Sequence, residues 1–347
     1  MNMSKFTKKQ WFIGIDISKE WIDVHVVYEK TPEKFTEKQF KNNLQGFDEM
    51  LNWLIKNKTN LSECMFCMEH TGTYGLMLFY WLNQHGFEFC VEPAIQIKRS
   101  MGLVRGKNDQ VDARRIAWYA MTNKIRLKPF EVPATHLVQI KQLLTYRDQL
   151  VKVKTGFLNS LKSHQQYQQI TRLDFVTQDI QQQIQQLTDR IDELEKQIIQ
   201  IINSDEDLKK NHDLATSVIG VGLIISAFML VTTNNFTSFE NGRQYASYSG
   251  IAPFEVSSGF YRGKAQVSHL ANKRMKTLLA NGANSARIWD PELKMYYERK
   301  RDQGKEHQVV ITAISCKLVN RVFASVHRKT AFVTLSKNYA KKNLVIS

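Results

Sequence analysis

The stretch WFIGIDISKEWIDVHVVYEK, residues 11–30, decides how the first third of the chain folds. Residues 11–17 are a short apolar run that reads as a strand carrying Asp16 near its end. Residues 23–28 alternate like a second strand, and 34–40 read as a third. Working outward, 44–55 have helical spacing, 63–68 are another strand, and 74–84 another helix. Residues 87–92 are a fifth strand closed by Pro93, and 109–122 are a helix. Three strands in hairpin-like succession, then β-α-β-α, predict a mixed sheet with helices on its faces.

Four carboxylates fall at telling places in this pattern. Asp16 ends the first strand, Glu69 ends the strand CMFCME, and Asp109 and Asp112 stand three apart at the start of a helix, sharing one face. If these meet, they need a cation to stay ionised together, and oxygen ligands suit Mg²⁺ or Mn²⁺. Singly, each has a plain structural role open to it: Asp16 in a turn, Glu69 on the surface, Asp109 as a helix cap with Asp112 favouring the helix dipole. Together their order, strand-Asp, strand-Glu, helix Asp-x-x-Asp, resembles that of ribonuclease-H-like nucleases. A glycine-containing turn, EHTGTYG, follows Glu69 and would let backbone approach a substrate closely.

From residue 137 to about 203 the chain is rich in Gln, Lys and Leu/Ile. Ile180, Ile184, Leu187, Ile191, Leu194, Ile198 and Ile201 repeat at four-three spacing, the seam of a coiled coil or long helical hairpin. Ile140, Leu144, Val151, Leu158 and Leu161 stripe an earlier helix, and a break near 164–174 would fold the two together. The pair serves either as an internal spacer or as an oligomerisation arm. Beyond residue 208, apolar helices alternate with glycine turns and basic stretches. LATSVIGVGLIISA, residues 214–227, reads as a helix-hairpin-helix-like unit whose turn, with Gly220 and Gly222, could hold a phosphate on backbone amides.

The formal net charge is +15, and its distribution says more than its size. From Arg262 to the end, 18 Lys/Arg stand against 5 Asp/Glu, a local excess of 13 that predicts a polyanionic partner. No apolar run approaches the roughly 18 residues of a membrane span, and the N-terminus lacks the apolar stretch of a signal peptide. A cytoplasmic, nucleoid-associated protein with no membrane partner is expected. Cys64 and Cys67 form a CxxC inside an apolar strand, where residues three apart face opposite sides, so buried free thiols are expected rather than a zinc site.

In YASYSGIAPFEVSSGFYRGKAQVSHLANKRMKTLL, Ser258 precedes Gly259, and Arg262, Lys264, Lys273 and Arg274 follow. A serine attacking a phosphodiester needs cations for the developing charge and room for the phosphate.

These blocks together resemble the transposases of the insertion-sequence one-hundred-and-ten family, the bridge-RNA-guided DEDD recombinases. GIDISK, MEHTGTYG and KNDQVDARRIA resemble the three blocks of that family's RuvC-like domain, and SVIGVGLIISAFML, then FTSFENGRQYASYSGIAPFEVSSG, then a basic block ending in MKTLL resemble its second domain. The resemblance runs from about residue 11 to 330, with Ile219 where the family commonly has proline. It implies that Asp16, Glu69, Asp109 and Asp112 bind Mg²⁺ or Mn²⁺. It implies that Ser258, with adjacent Ser257 as the alternative, attacks DNA and forms a covalent link. It further implies a bridge RNA that selects donor and target DNA, and a homo-oligomer, dimer or tetramer, whose active sites combine two subunits. Expected nucleic-acid contacts are Arg105, Lys107, Gly220, Gly222, Gly259, Arg262, Lys264, Lys273 and Arg274.

The expected architecture is thus α/β plus α. A ribonuclease-H/RuvC-like domain spans 1–127, a coiled-coil helical region 128–205, a mostly helical serine domain 206–335, and a loose tail 336–347. Two other functions fit parts of the pattern: a metal-dependent junction resolvase in which Ser258 is structural, and a non-catalytic nucleic-acid binder.

Overall fold

The computed structural model describes residues 5–70, 72–100, 109–171, 174–252, 257–258, 261–262 and 271–334. The chain divides into two compact units, Met1–Val132 and Pro133–Ser347.

The first unit is built on five strands: β1 (Trp11–Ile17), β2 (Trp21–Tyr28), β3 (Phe35–Lys41), β4 (Cys64–Glu69) and β5 (Phe89–Glu92). Their order is β3-β2-β1-β4-β5, with β1 antiparallel to β2 and parallel to β4. This is the mixed sheet that the strand pattern predicts. Ile13, Ile15, Ile17, Ile22, Val24 and Val26 face one side, where they bury Phe47, Met50 and Leu54 of α1 (Leu44–Lys56) and Leu78, Phe79 and Leu82 of α2 (Leu76–Gln84). Phe12, Met65, Cys67 and Cys90 face the other, against Ile97 of α3 (Ala94–Ser100) and Ile116, Tyr119 and Ala120 of α4 (Asp109–Asn123). Cys64 and Cys67 therefore belong to opposite cores, as period-two alternation requires, and both are buried free thiols. Burial pushes the Cys64 thiol up to about 12. α3 has no counterpart in the sequence reading, because it starts directly after Pro93 and lasts only seven residues.

Two glycines are required by close approach. A methyl group at Gly46 would fall on the Lys41 carbonyl, where the chain leaves β3 for α1. One at Gly14 would collide with the Ala113 carbonyl and the Ala117 amide, so only glycine lets α4 lie directly on β1.

The second unit begins with a helical hairpin, α5 (Thr135–Thr171) and α6 (Asp174–Asn203). α5 runs unbroken past residue 164, so the reversal comes at the far end of the expected break. Ile180, Ile191, Leu194 and Ile198 of the seam are buried, whereas Ile184 and Leu187 are only half-buried. At the base the buried position is Ile202 and Ile201 is partly exposed, the drift expected of a straight helix against a seven-residue repeat. Arg147 of α5 donates to Glu195 of α6 at 2.7 Å. The hairpin base, Ile140, Leu144, Ile198 and Ile202, joins the core of the unit. That core also takes in α7 (Glu206–Thr216), α8 (Leu223–Thr232), α9 (Gly242–Tyr248), α10 (Lys273–Trp289), α11 (Pro291–Asp302) and α12 (His307–Arg328). A short ladder pairs β6 (Ser257–Ser258) with β7 (Tyr261–Arg262).

α12 corrects one expectation. It is 22 residues long and contains an 18-residue stretch of mean hydropathy 1.6, enough to cross a membrane by length and composition. Scattered polar residues hide this from a search for uninterrupted runs. Val310, Ile311, Ile314, Leu318, Val319, Val322 and Phe323 are buried in the core of the second unit, so its apolarity is that of a central packing helix.

Candidate active site

Strand register decides which carboxylates share a face. Asp16 of β1 is paired with Asp23 of β2, and Ile15 with Met68 of β4. Asp16 and Glu69 are the next residues along these parallel strands, and Glu69 is paired with Glu92 of β5. Asp16 follows Phe12 and Gly14 at period two, and Glu69 follows Met65 and Cys67, so both point to the face covered by α4. A row Asp23–Asp16–Glu69–Glu92 thus crosses the sheet on that face. Asp112 lies in the first turn of α4, immediately before Ala113, whose backbone meets Gly14. Asp112 also pairs with Arg115 one turn on, at 2.7 Å. The backbone of Asp109 opens α4, but its side chain is outside the described residues.

Asp23 and Glu92 are additions that the sequence reading did not make, since cross-strand register is not written in a single chain. Asp23 accepts from Gln39 Nε2 at 3.1 and 3.2 Å. Burial raises the Glu92 carboxyl, and the Tyr119 hydroxyl, which donates to it at 3.3 Å, partly offsets this. A cavity of about 40 Å³ adjoins Asp23, lined also by His25, Glu37, Gln39 and Ala113. His25 is fully buried, with Nδ1 3.2 Å from Glu37 and Nε2 lacking a hydrogen-bond partner. Burial lowers its pKa, and Glu37 partly offsets the shift. The donors at this end of the sheet are carboxylate oxygens, a set suited to Mg²⁺ or Mn²⁺. Among the described residues, no three His, Cys, Asp or Glu side chains gather closely enough to hold an ion.

In the second unit, β6 and β7 pair Ser257 with Arg262 and Ser258 with Tyr261. Ser258 is therefore the last ladder residue before Gly259; the side chains of these four residues are not described. Gly259, Lys264, Arg105 and Lys107 also lie outside the described residues. Lys273 is exposed at the start of α10, whose N-cap is Asn272. Arg274 is held by an ion pair with Asp148 of α5, so part of its charge is already met within the unit. The glycine turn between α7 and α8 contains Gly220 at φ +95°, and a methyl group there would strike the Gly282 carbonyl of α10. Gly220 thus has a packing reason of its own. Gly222 faces open space at the N-cap of α8 and makes no side-chain cap bond.

A family model described as "Transposase", of the DEDD IS110 type, matches residues 13–166, and one described as "Transposase IS116/IS110/IS902 family" matches 212–298. Together they cover more than two thirds of the chain. The pilin gene-inverting protein of Moraxella bovis is 28% identical over 330 residues, 92% of this chain and 97% of its own. The insertion element IS110 uncharacterized 43.6 kDa protein of Streptomyces coelicolor is 31% identical over 117 residues, 34% of this chain and 29% of its own. Among solved structures, T. thermophilus RuvC in complex with a Holliday junction substrate matches at 13% identity and a TM-score of 0.26, over 35% of this chain and 99% of that one.

Proposed function

Because the chain belongs to the IS116/IS110/IS902 family of transposases, we propose that it cuts and rejoins DNA strands through a covalent bond to Ser258. Recombination conserves phosphodiester bonds, so each cut must store its bond energy. In the proposed step, Ser258 Oγ attacks a backbone phosphorus. The Oγ–P bond forms, the bond from phosphorus to a deoxyribose oxygen breaks, the serine proton leaves, and the freed DNA oxygen takes one up. Attack by the hydroxyl of another strand reverses the step with new connectivity.

Asp16, Glu69, Asp109 and Asp112 are the residues that would hold divalent cations, Mg²⁺ or Mn²⁺. Cations held there would supply positive charge for the attacking and leaving oxygens. The observation that carries this reading is the register that sets Asp16 beside Glu69 on the face covered by α4, with Asp112 in the first turn of that helix. Arg262, Lys264 and Lys273 would meet the phosphates around Ser258, Gly222 would offer the α8 N-terminus to another, and Arg105 and Lys107 would serve the first unit. A bridge RNA selects donor and target DNA, and a homo-oligomer brings Ser258 of one subunit to the carboxylates of another, in the cytoplasm on the nucleoid. Strand exchange on a donor–target pair, with and without the element's own flanking non-coding RNA, tests this reading. Exchange is expected only with Mg²⁺ or Mn²⁺ and RNA present. Equal exchange without RNA would remove the guide from it.

A further inference from the structure

The second unit displays an aromatic corner that the cleavage chemistry does not use. Trp289 ends α10 and is 71% exposed, with Ile288 at 54% and Met295 at 71%. An indole so exposed contributes little to its own core. The corner that carries it is rigid. Asp290 is fully buried, accepts from the Leu293 amide at 2.9 Å to cap α11, and accepts from Arg321 at 2.7 Å. Its amide donates to the Ala286 carbonyl at 2.8 Å. Trp289 is therefore held out on a fixed backbone between two helices.

Charge indicates the occupant. Residues 273–305 carry nine Lys/Arg against four Asp/Glu, and two of those acids, Asp290 and Glu292, are already paired with Arg321. Around the corner, Arg287 lies 5.0 Å from the Tyr297 ring, and Arg299 and Lys317 lie 5.7 and 4.7 Å from that of Tyr296. The tyrosine faces are thus met by cations, whereas among the described residues Trp289 has no ring or cation against it. A basic surface with one free, rigid aromatic face matches the pairing of phosphate attraction with base stacking that holds single strands. Duplex DNA hides its base faces in the stack, so an indole can reach one only where a base is unpaired.

We infer that Trp289 stacks on an unpaired base of single-stranded DNA, the form that strands take while they are being exchanged. The test uses the full chain and fluorescence anisotropy with four labelled probes: an oligothymidylate about 16 nucleotides long, an oligouridylate and an abasic strand of the same length and charge, and a duplex. Wild type is expected to bind oligothymidylate about tenfold more tightly than the abasic strand. Trp289→Ala should erase that difference while leaving abasic and duplex binding within about twofold, and Trp289→Phe should keep part of it. These binding measurements need no strand cleavage and no Mg²⁺, so failure of the covalent chemistry proposed above and failure of this surface are separable. No preference for bases in wild type, or a preference that survives Trp289→Ala, overturns the inference. So does a loss confined to oligouridylate, which would assign the corner to RNA, or a drop in oligomer mass by light scattering with DNA binding unchanged, which would assign it to a protein interface.

Discussion

Gly14 of β1 and Ala113 of α4 touch backbone to backbone, with no room for a methyl group between them. That contact sets the helix carrying Asp109 and Asp112 directly on the strand carrying Asp16. Gly14→Ala should lift α4 from the sheet, at a cost of about 1–3 kcal/mol typical of overpacking, and strand exchange should fall more than stability does. Urea unfolding beside an exchange assay checks this; wild-type activity in a stably folded Gly14→Ala protein would show that α4 need not lie so close.

Asp16→Ala and Asp112→Ala should abolish strand exchange and weaken binding of Mn²⁺ in isothermal titration. The melting temperature should hold or rise for Asp16→Ala, because Asp16 stands in a row with Asp23, Glu69 and Glu92, and its removal relieves like-charge repulsion. Unchanged Mn²⁺ binding in both variants would detach these residues from the cation.

The α6 seam gives a stability prediction. Ile191 is 7% exposed, so Ile191→Asp puts a charge into the hairpin contact and should cost several kcal/mol. Loss of helical signal at lower urea than wild type is the expected result; an unchanged midpoint would mean that the hairpin contact contributes nothing there.

His212 gives a pH dependence. Its Nδ1 lies 2.5 Å from the buried Ser226 hydroxyl. Burial lowers its pKa below the ordinary 6.5, with Asp213 partly offsetting the shift. Below about 6.5 the unfolded chain therefore binds more protons here than the folded one, so the stability contribution is whole above that pH and is lost as pH falls. Melting temperatures from pH 7.5 to 5 should show a smaller decline in His212→Gln than in wild type; parallel declines would place the titration elsewhere.

Much of this was legible in residue order and some was not. The strands announce themselves as short apolar runs or, in 23–28, through alternation, and Pro93 ends the last of them. Asp16 and Glu69 are visible because each stands at or next to the end of an apolar strand. Asp23 and Glu92 are not, because their place beside those two depends on register, a property of pairs of strands. The need for Gly14 is hidden in the same way, since the atoms that exclude a side chain belong to residues about a hundred positions away. The four-three repeat of α6 marks its seam down to Ile198, and the drift to Ile202 appears only where the helix meets the core. Gly220 is conspicuous in sequence as half of a G-x-G turn, yet its fit against Gly282 needs α10 to be in place.

The proposed covalent step is open to direct observation. Protein mixed with labelled donor and target DNA, Mg²⁺ and the flanking RNA, then run on a denaturing gel, should show labelled DNA migrating with the chain. Wild type and Ser257→Ala should form this adduct, and Ser258→Ala should not, although it keeps its fold and still binds RNA. An adduct that persists in Ser258→Ala and vanishes in Ser257→Ala would move the nucleophile by one residue. Active strand exchange by the wild type with no adduct at any time would contradict the covalent mechanism.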